Sequence, residues 1–245
     1  MAEPRPGRLG PGGTFVVVLA GFAGLIALGT WQIERRVWKA ELIATMESRL
    51  AMAPLAIEAA LASREPVDFR PLRASGRFRH DREFYLAARS YQSQLGYHVV
   101  TPLLLNDGQT TVMVDRGWVP TDRRDPASRP LGQIAGAVSV TGIARLPPRP
   151  GVFTPDNRPD QNQWYWNDLS AMAQQAGAVQ VAPFMIEAGA DSNPGGLPIG
   201  GQTRVTLSND HLQYAITWYA LAGALAVIYL VSRRRRDDGG HEARR

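Results

Sequence analysis

The sequence predicts a membrane protein of α+β class, in which two terminal transmembrane helices bracket a mostly antiparallel β-sheet or small barrel domain. Three observations point there. Two runs, 14–33 and 212–231, are each 20 residues long and carry no formal charge. The middle of the chain alternates with period 2 in several places, and the excess basic residues gather beside the terminal runs. A hydrocarbon core of about 30 Å is crossed by about 20 helical residues at about 1.5 Å each, so either run is long enough to span it. The mean hydropathy of -0.19 and the 44% hydrophobic content look like those of a soluble protein because a polar middle dilutes both runs.

The first element is a tail over 1–13, whose three Pro and four Gly suit disorder. The first span, 14–33, also admits a reading as a secretory signal, with Ala27 and Gly29 as small residues at a cleavage site. Its length exceeds the roughly 7–15 residues of a signal core and favours an anchor. Arg35, Arg36 and Lys39 after this span compete with Arg5 and Arg8 before it, so it does not orient itself. Arg233, Arg234, Arg235 and Arg236 hold the end of the second span, 212–231, on the cytoplasmic side, and two spans then place both termini there. The domain over 34–211 faces the periplasm or the equivalent space of an organelle, and 232–245 forms a basic cytoplasmic tail.

The net charge of +5 follows the same division. Two basic residues oppose one acidic before Thr14, six oppose three after Val231, and nineteen oppose eighteen between. Basic tails beside spans suit anionic lipid, and a nearly neutral domain weighs against a nucleic-acid partner. The chain has no cysteine, which excludes disulfides, thiolate catalysis, iron–sulfur ligation and copper delivery through paired thiolates.

Between the spans, Glu34 to Leu50 continues the helical pattern and Pro54 to Ala62 reads as a short helix. Extended segments follow near 72–78, 83–88, 96–105, 110–116 and 138–144; in the fourth, Val112 and Val114 alternate with Thr111, Met113 and Asp115. Asn167 is the expected cap of a helix with Leu169, Met172, Ala173 and Ala176 on one face, ended by Gly177. Five or more short strands with few helices suggest the sheet or barrel.

The stretch from Asn209 to Ala222 holds the most chemistry. At about 100° per residue His211, Tyr214, Ala215, Trp218 and Ala222 share one helix face at the outer membrane interface. One reading is an aromatic belt with a polar boundary histidine. The other is that His211 ligates an iron porphyrin, with the rings packed on the macrocycle. Gly21, Gly24 and Gly29 permit close approach of the two spans, which brings Trp31 near His211. Arg35, Arg36 and Arg204 then serve either as propionate partners or as interfacial anchors. His80 and His98 have no metal-ligand spacing and read as surface or satisfied histidines, and His241 lies in the tail. Gly195 to Gly201 lacks the Lys-Ser/Thr ending of a phosphate loop and reads as a flexible linker. No nucleophile elbow, HExxH or paired-carboxylate arrangement stands out, which lowers an enzymatic reading.

Several motifs in order, between two terminal spans, carry a resemblance. They are Leu28-Gly-Thr-Trp-Gln32, Arg70-Pro-Leu72, Gly76-Arg-Phe78, Val114-Asp-Arg-Gly-Trp-Val-Pro120, Pro155-Asp-Asn157, Trp164 to Asp168, Gly200-Gly-Gln-Thr-Arg-Val-Thr-Leu207 and the His211 segment. With them the chain, from Leu28 to Ala222, resembles the surfeit locus protein 1 family of cytochrome oxidase assembly factors. The resemblance implies a non-enzymatic factor in a bacterial inner membrane that assists haem A insertion into subunit I of an aa3-type oxidase. It also implies a haem-binding histidine at the start of the second span, here His211. Tyr214, Trp218, Trp31 and Arg204 are added to that site on geometry alone. The expected cargo is haem A held transiently through its iron by His211. The expected partners are subunit I, haem A synthase and membrane lipid, with no nucleic acid. A scaffold for subunit I that carries no cofactor is the alternative, and an enzyme acting on haem or quinone is the weakest reading.

Overall fold

A computed structural model describes residues 11–148, 150–191, 193–203 and 207–242. The chain forms two compact units: Met1–Thr45 with Thr206–Arg245, and Met46–Val205.

The first unit is built on two helices. α1 runs over Pro11–Leu50 and α4 over His211–Glu242. Within them Gly12–Leu50 and His211–Arg235 reach mean hydropathies of 2.0 and 1.8, long and apolar enough to cross a membrane. Few of these side chains are buried by the rest of the protein, unlike those of a soluble core helix. α1 thus takes in both the expected span and its continuation to Leu50, along with the last three residues of the expected tail. Most of that tail lies outside the described residues. α4 likewise runs on past the expected end of its span into the basic segment.

The second unit contains strands β1 (Leu55–Ala56), β2 (Pro71–Phe78), β3 (Phe84–Tyr91), β4 (Gln94–Leu105), β5 (Thr110–Pro120), β6 (Ala137–Arg145), β7 (Gln163–Trp164) and β8 (Gln180–Ala188). Its helices are α2 (Ile57–Ala62) and α3 (Leu169–Ala176). Strands β2, β6, β8, β5 and β4 pair in that order, and a further β2–β4 pairing closes them into a five-stranded barrel. Neighbours are antiparallel except β5 and β8. The spatial order β6-β2-β4-β5 is a Greek key, with β8 as the closing strand. β1 and β7 add short parallel pairings to β2 and β3.

Closing the sheet gives each strand two faces, and both are buried here. Leu72, Ala74, Leu103, Val112, Val114, Ala144, Phe184 and Ile186 come from all five barrel strands and form one core with Ile57 and Ala60 of α2. Met113 and Met185 point the other way, into a second core with Phe84, Leu86, Val100 and Trp164 under α3. Period 2 along β5 therefore separates two apolar layers, and Thr111, Met113 and Asp115 are buried as well.

Two local expectations change. The cap of α3 is Asp168, whose Oδ1 accepts from Ala171 N at 3.0 Å, while Asn167 turns its amide to Met185 Sδ. The end of α3 is as expected, with Gly177 at φ 65. β8 was not anticipated because Pro183 interrupts it. The ladder tolerates that proline at the register shift of β5 against β8 between Thr111 and Met113. The glycine run at 195–201 is pinned: Trp118 and Ile199 exchange N–H···O bonds of 2.9 and 2.8 Å, and Gly201 N donates to Ala188 O. Gly117, at φ 115, permits this crossing, since a Cβ there would lie 1.9 Å from Ile199 O.

Three buried charges anchor the loops. Both carboxylate oxygens of Glu83, just before β3, accept from Arg129, and Arg116 of β5 lies 3.7 Å away. Arg116 donates to Gly132 O at 2.6 Å and to Asn193 Oδ1 at 2.9 Å. Burial alone would raise the Glu83 carboxyl, but hydrogen bonds from His80 and Arg129 and the charges of both arginines hold it down at about 2. A carboxyl depressed in the folded state stabilises fully above its unfolded value near 4.5, and that stabilisation disappears as pH falls toward about 2. Glu83→Gln leaves two buried guanidinium groups without their counter-charge. Chemical denaturation of the full-length protein in detergent is expected to show a loss of about 3–5 kcal/mol at neutral pH. It should also show a flatter acid limb between pH 4.5 and 2 than the wild type.

Candidate functional site

In a bilayer no hydrophobic gain drives helices together, so close packing and interhelical hydrogen bonds must do it. The α1–α4 pair uses both. Gly29 is buried, and a Cβ on it would come within 2.6 Å of the Tyr219 ring. Thr30 Oγ1 and Tyr219 OH are 3.2 Å apart, Gly21 meets Leu225, and the Phe15 and Tyr229 rings lie 6.1 Å apart between centroids. Ala215 and Ala222 are buried on the same side of α4. The expected approach of the spans is therefore observed at Gly21 and Gly29, while a Cβ at Gly24 would meet nothing within 4 Å.

His211 opens α4, where its imidazole is half-buried and its Nδ1 lies 2.7 Å from Gln32 Oε1. With the amide oxygen accepting, Nδ1 carries the proton, and in the neutral tautomer of that kind Nε2 keeps its lone pair. One residue pair further out, Asn209 Nδ2 donates to Arg36 O at 3.1 Å, while Asn209 Oδ1 is buried with no partner. Gln32 and Asn209 thus tie the middle of α1 to the start of α4 and fix the imidazole between them.

The expected stripe on α4 divides. Ala215 and Ala222 face the helix contact, Trp218 is half-buried, and Tyr214 is 57% exposed. On α1 the residue hydrogen-bonded to His211 is Gln32, and its neighbour Trp31 is 52% exposed. Arg35 stacks on Trp38, with its guanidinium carbon 3.9 Å from the ring centroid. Arg204 lies outside the described residues. Gln32 escaped the sequence reading because an amide at a span's end looks like ordinary interfacial polarity, and only helix pairing gives it a partner.

His80 and His98 are both engaged. His80 Nδ1 meets Glu83 and Nε2 meets Ile134 O, as expected of a satisfied histidine; His98 Nδ1 lies 2.8 Å from Asp115. Among the described residues no group of three or more His, Cys, Asp or Glu could hold a metal ion. Among the described residues the donor set at His211 is one imidazole whose only hydrogen bond is at Nδ1. That fits a single axial bond to a flat metallo-macrocycle better than a closed cage.

The sequence profile of the SURF1 family matches residues 19–223, from within α1 to within α4. The chain belongs to the SURF1 family. This is a family of cytochrome oxidase assembly factors, generally without enzymatic activity. Surfeit locus protein 1 of Mus musculus is 40% identical over 228 residues, covering 87% of this chain and 74% of the mouse protein. The Homo sapiens protein of the same name is 40% identical over 227 residues, 86% of this chain and 75% of its own. A SURF1-like protein of Monosiga brevicollis is 36% identical over 235 residues, 91% and 89% of the two chains.

The helix contact has a direct check, since the chain has no cysteine. Thr30→Cys with Tyr219→Cys should be bridged by a short bismaleimide, read as a crosslinked peptide by mass spectrometry.

Proposed function

We propose that this protein assists assembly of an aa3-type haem-copper cytochrome oxidase by holding haem A at His211 and passing it to subunit I. The observation that supports this reading is the Gln32–His211 hydrogen bond of 2.7 Å. A neutral imidazole with its proton on Nδ1 offers Nε2 to an iron. A hydrogen bond to the other nitrogen orients such a ligand and raises its basicity. A single protein ligand also suits transfer, because one bond is exchanged at the acceptor where a two-residue cage would need two. Trp218, Tyr214 and Trp31 supply apolar surface for a macrocycle. The haem iron would supply the coordination bond; the chain supplies the oriented imidazole and the half-open helix end.

In this reading the spans lie in a bacterial inner membrane with both termini cytoplasmic and the barrel unit periplasmic, as the arginine cluster at 233–236 favours. The barrel is the surface offered to subunit I and to a donor such as haem A synthase.

The test is an absorption spectrum of detergent-purified protein from cells that make haem A. Wild type should carry a Soret band that His211→Ala loses, together with oxidase assembly in cells. Gln32→Leu keeps the ligand but removes its orienting partner, and haem affinity is expected to fall about 10–100-fold. Equal haem content in wild type and His211→Ala would refute the site. Haem-free wild type that still restores assembly would favour a cofactor-free scaffold.

A further inference from the structure

Within the barrel unit a cavity of about 380 Å³ opens among β3, β4, β5, β6 and β8. Strand irregularities shape it. The β3–β4 register shifts between Leu86 and Arg89, where Ala88 takes φ 55, and the β4–β5 register shifts between His98 and Val100. A left-handed alanine costs on the order of 1–3 kcal/mol, and bulges re-aim side chains, so both features recur where a fold builds a site.

The side chains around the cavity are mainly polar, and most have committed partners. Asp115 accepts from His98 Nδ1 through one oxygen and from Gly117 N through the other, at 2.8 and 3.0 Å. Among the described residues His98 Nε2 has no hydrogen-bond partner. Glu187 pairs in register with Asp115 on the adjacent parallel strand. Burial, aided by the Asp115 charge, pushes its carboxyl upward against the pull of a Thr203 hydrogen bond, Arg145 and His98.

Arg145 is different. Its guanidinium lies 3.9 Å over the Phe69 ring, and its side chain is only 25% exposed. Nη1 and Nε form ion pairs of 3.7 Å with Asp68 and Glu187, beyond hydrogen-bonding range, and among the described residues Nη1 is buried without a hydrogen-bond partner. Asp68 Oδ1 already accepts from Leu146 N. Among the described residues no hydrogen bond from this guanidinium is formed. Asn167 Oδ1, on the same cavity, is a second buried polar atom with no partner. A buried Nη1 without an acceptor is an unmet demand, and the planar fork it belongs to matches a carboxylate.

We propose that this cavity binds an organic carboxylate, received by the Arg145 guanidinium beside the His98–Asp115 pair, with Asn167 accepting from a donor on the same ligand. Both oxygens of Asp115 are already engaged, by His98 Nδ1 and by Gly117 N. The upward shift of Glu187 brings it closer to its uncharged form, which reduces repulsion of an incoming carboxylate. Both a free hydroxy acid and a carboxylate arm of a larger molecule present this chemistry. Carboxylate capture at Arg145 does not depend on haem at His211, and either can fail alone.

The experiment is isothermal titration calorimetry on the full-length protein in detergent, in two arms. One titrates citrate against its triamide, and the other metal-free mesoporphyrin against its dimethyl ester. At least one acid is expected to bind saturably and at least tenfold more tightly than its neutral counterpart. Citrate binding alone identifies a free acid as the ligand, and mesoporphyrin binding alone a carboxylate arm. Arg145→Lys keeps the charge but loses the fork, and Asn167→Asp sets a like charge beside the ligand. Each should weaken binding tenfold or more with the melting temperature retained. Failure of both acids to bind, equal binding of acid and neutral probe, or binding unchanged in both variants overturns the proposal. The wild-type comparison decides even if a variant does not fold.

Discussion

A single buried carboxylate organises the loops of the barrel unit. Glu83 is almost completely enclosed, and so are the Arg129 and Arg116 side chains that neutralise it. Isolated, any of the three would be expelled or neutralised by the cost of desolvation. Together they compensate one another, and the arginines use their remaining donors on Gly132, Asn193 and the backbone of 123–124. Segments far apart in sequence are thereby held to one point beside β3 and β5. The same β5 motif continues into Gly117 and Trp118, where the strap at 195–201 crosses so closely that only a glycine fits. A charge network and a backbone crossing, one residue apart, fix the loops over the barrel wall.

The barrel itself rests on a simpler constraint. Closure removes the sheet's edges, and coverage by α2 and α3 demands apolar side chains on both faces of its central strands. β5 meets that demand with Val112 and Val114 on one side and Met113 on the other, and β8 with Phe184 and Ile186 against Met185. The irregular positions are equally informative. Where β3, β4 and β5 slip register, the wall opens and the polar residues His98, Asp115, Glu187 and Arg145 occupy the gap.

The helix pair follows other rules, because a span cannot gain stability by leaving water twice. Contact is made at Gly29, Ala215 and Ala222, where backbones can approach, and by hydrogen bonds between Thr30 and Tyr219 and between Gln32 and His211. The second of these bonds serves the proposed chemistry too. The contact that joins the helices also selects the imidazole tautomer, so packing and ligand preparation are one event at that end of the pair.

Much of this was legible in the chain. Uncharged runs of span length, small residues at their contact, His211 at the head of the second, and β3 with four of the five barrel strands all follow from local composition and period. These are properties a segment carries wherever it is placed. What local pattern could not supply is pairing. β8 was hidden by Pro183, which is tolerated only because the facing strand shifts register there, and the helix cap moved by one residue from Asn167 to Asp168. Gln32 gained its role only when α4 lay beside α1. Glu83, Arg116 and Arg129, spread over 46 residues, and the strap at 195–201 look like surface polarity and loose linker until the fold brings them together. The sequence by itself determined which segments would be spans and strands, because hydrophobic period and length act locally. The tertiary structure alone decided which polar groups would meet, because hydrogen bonds and ion pairs depend on distances that only the folded chain sets.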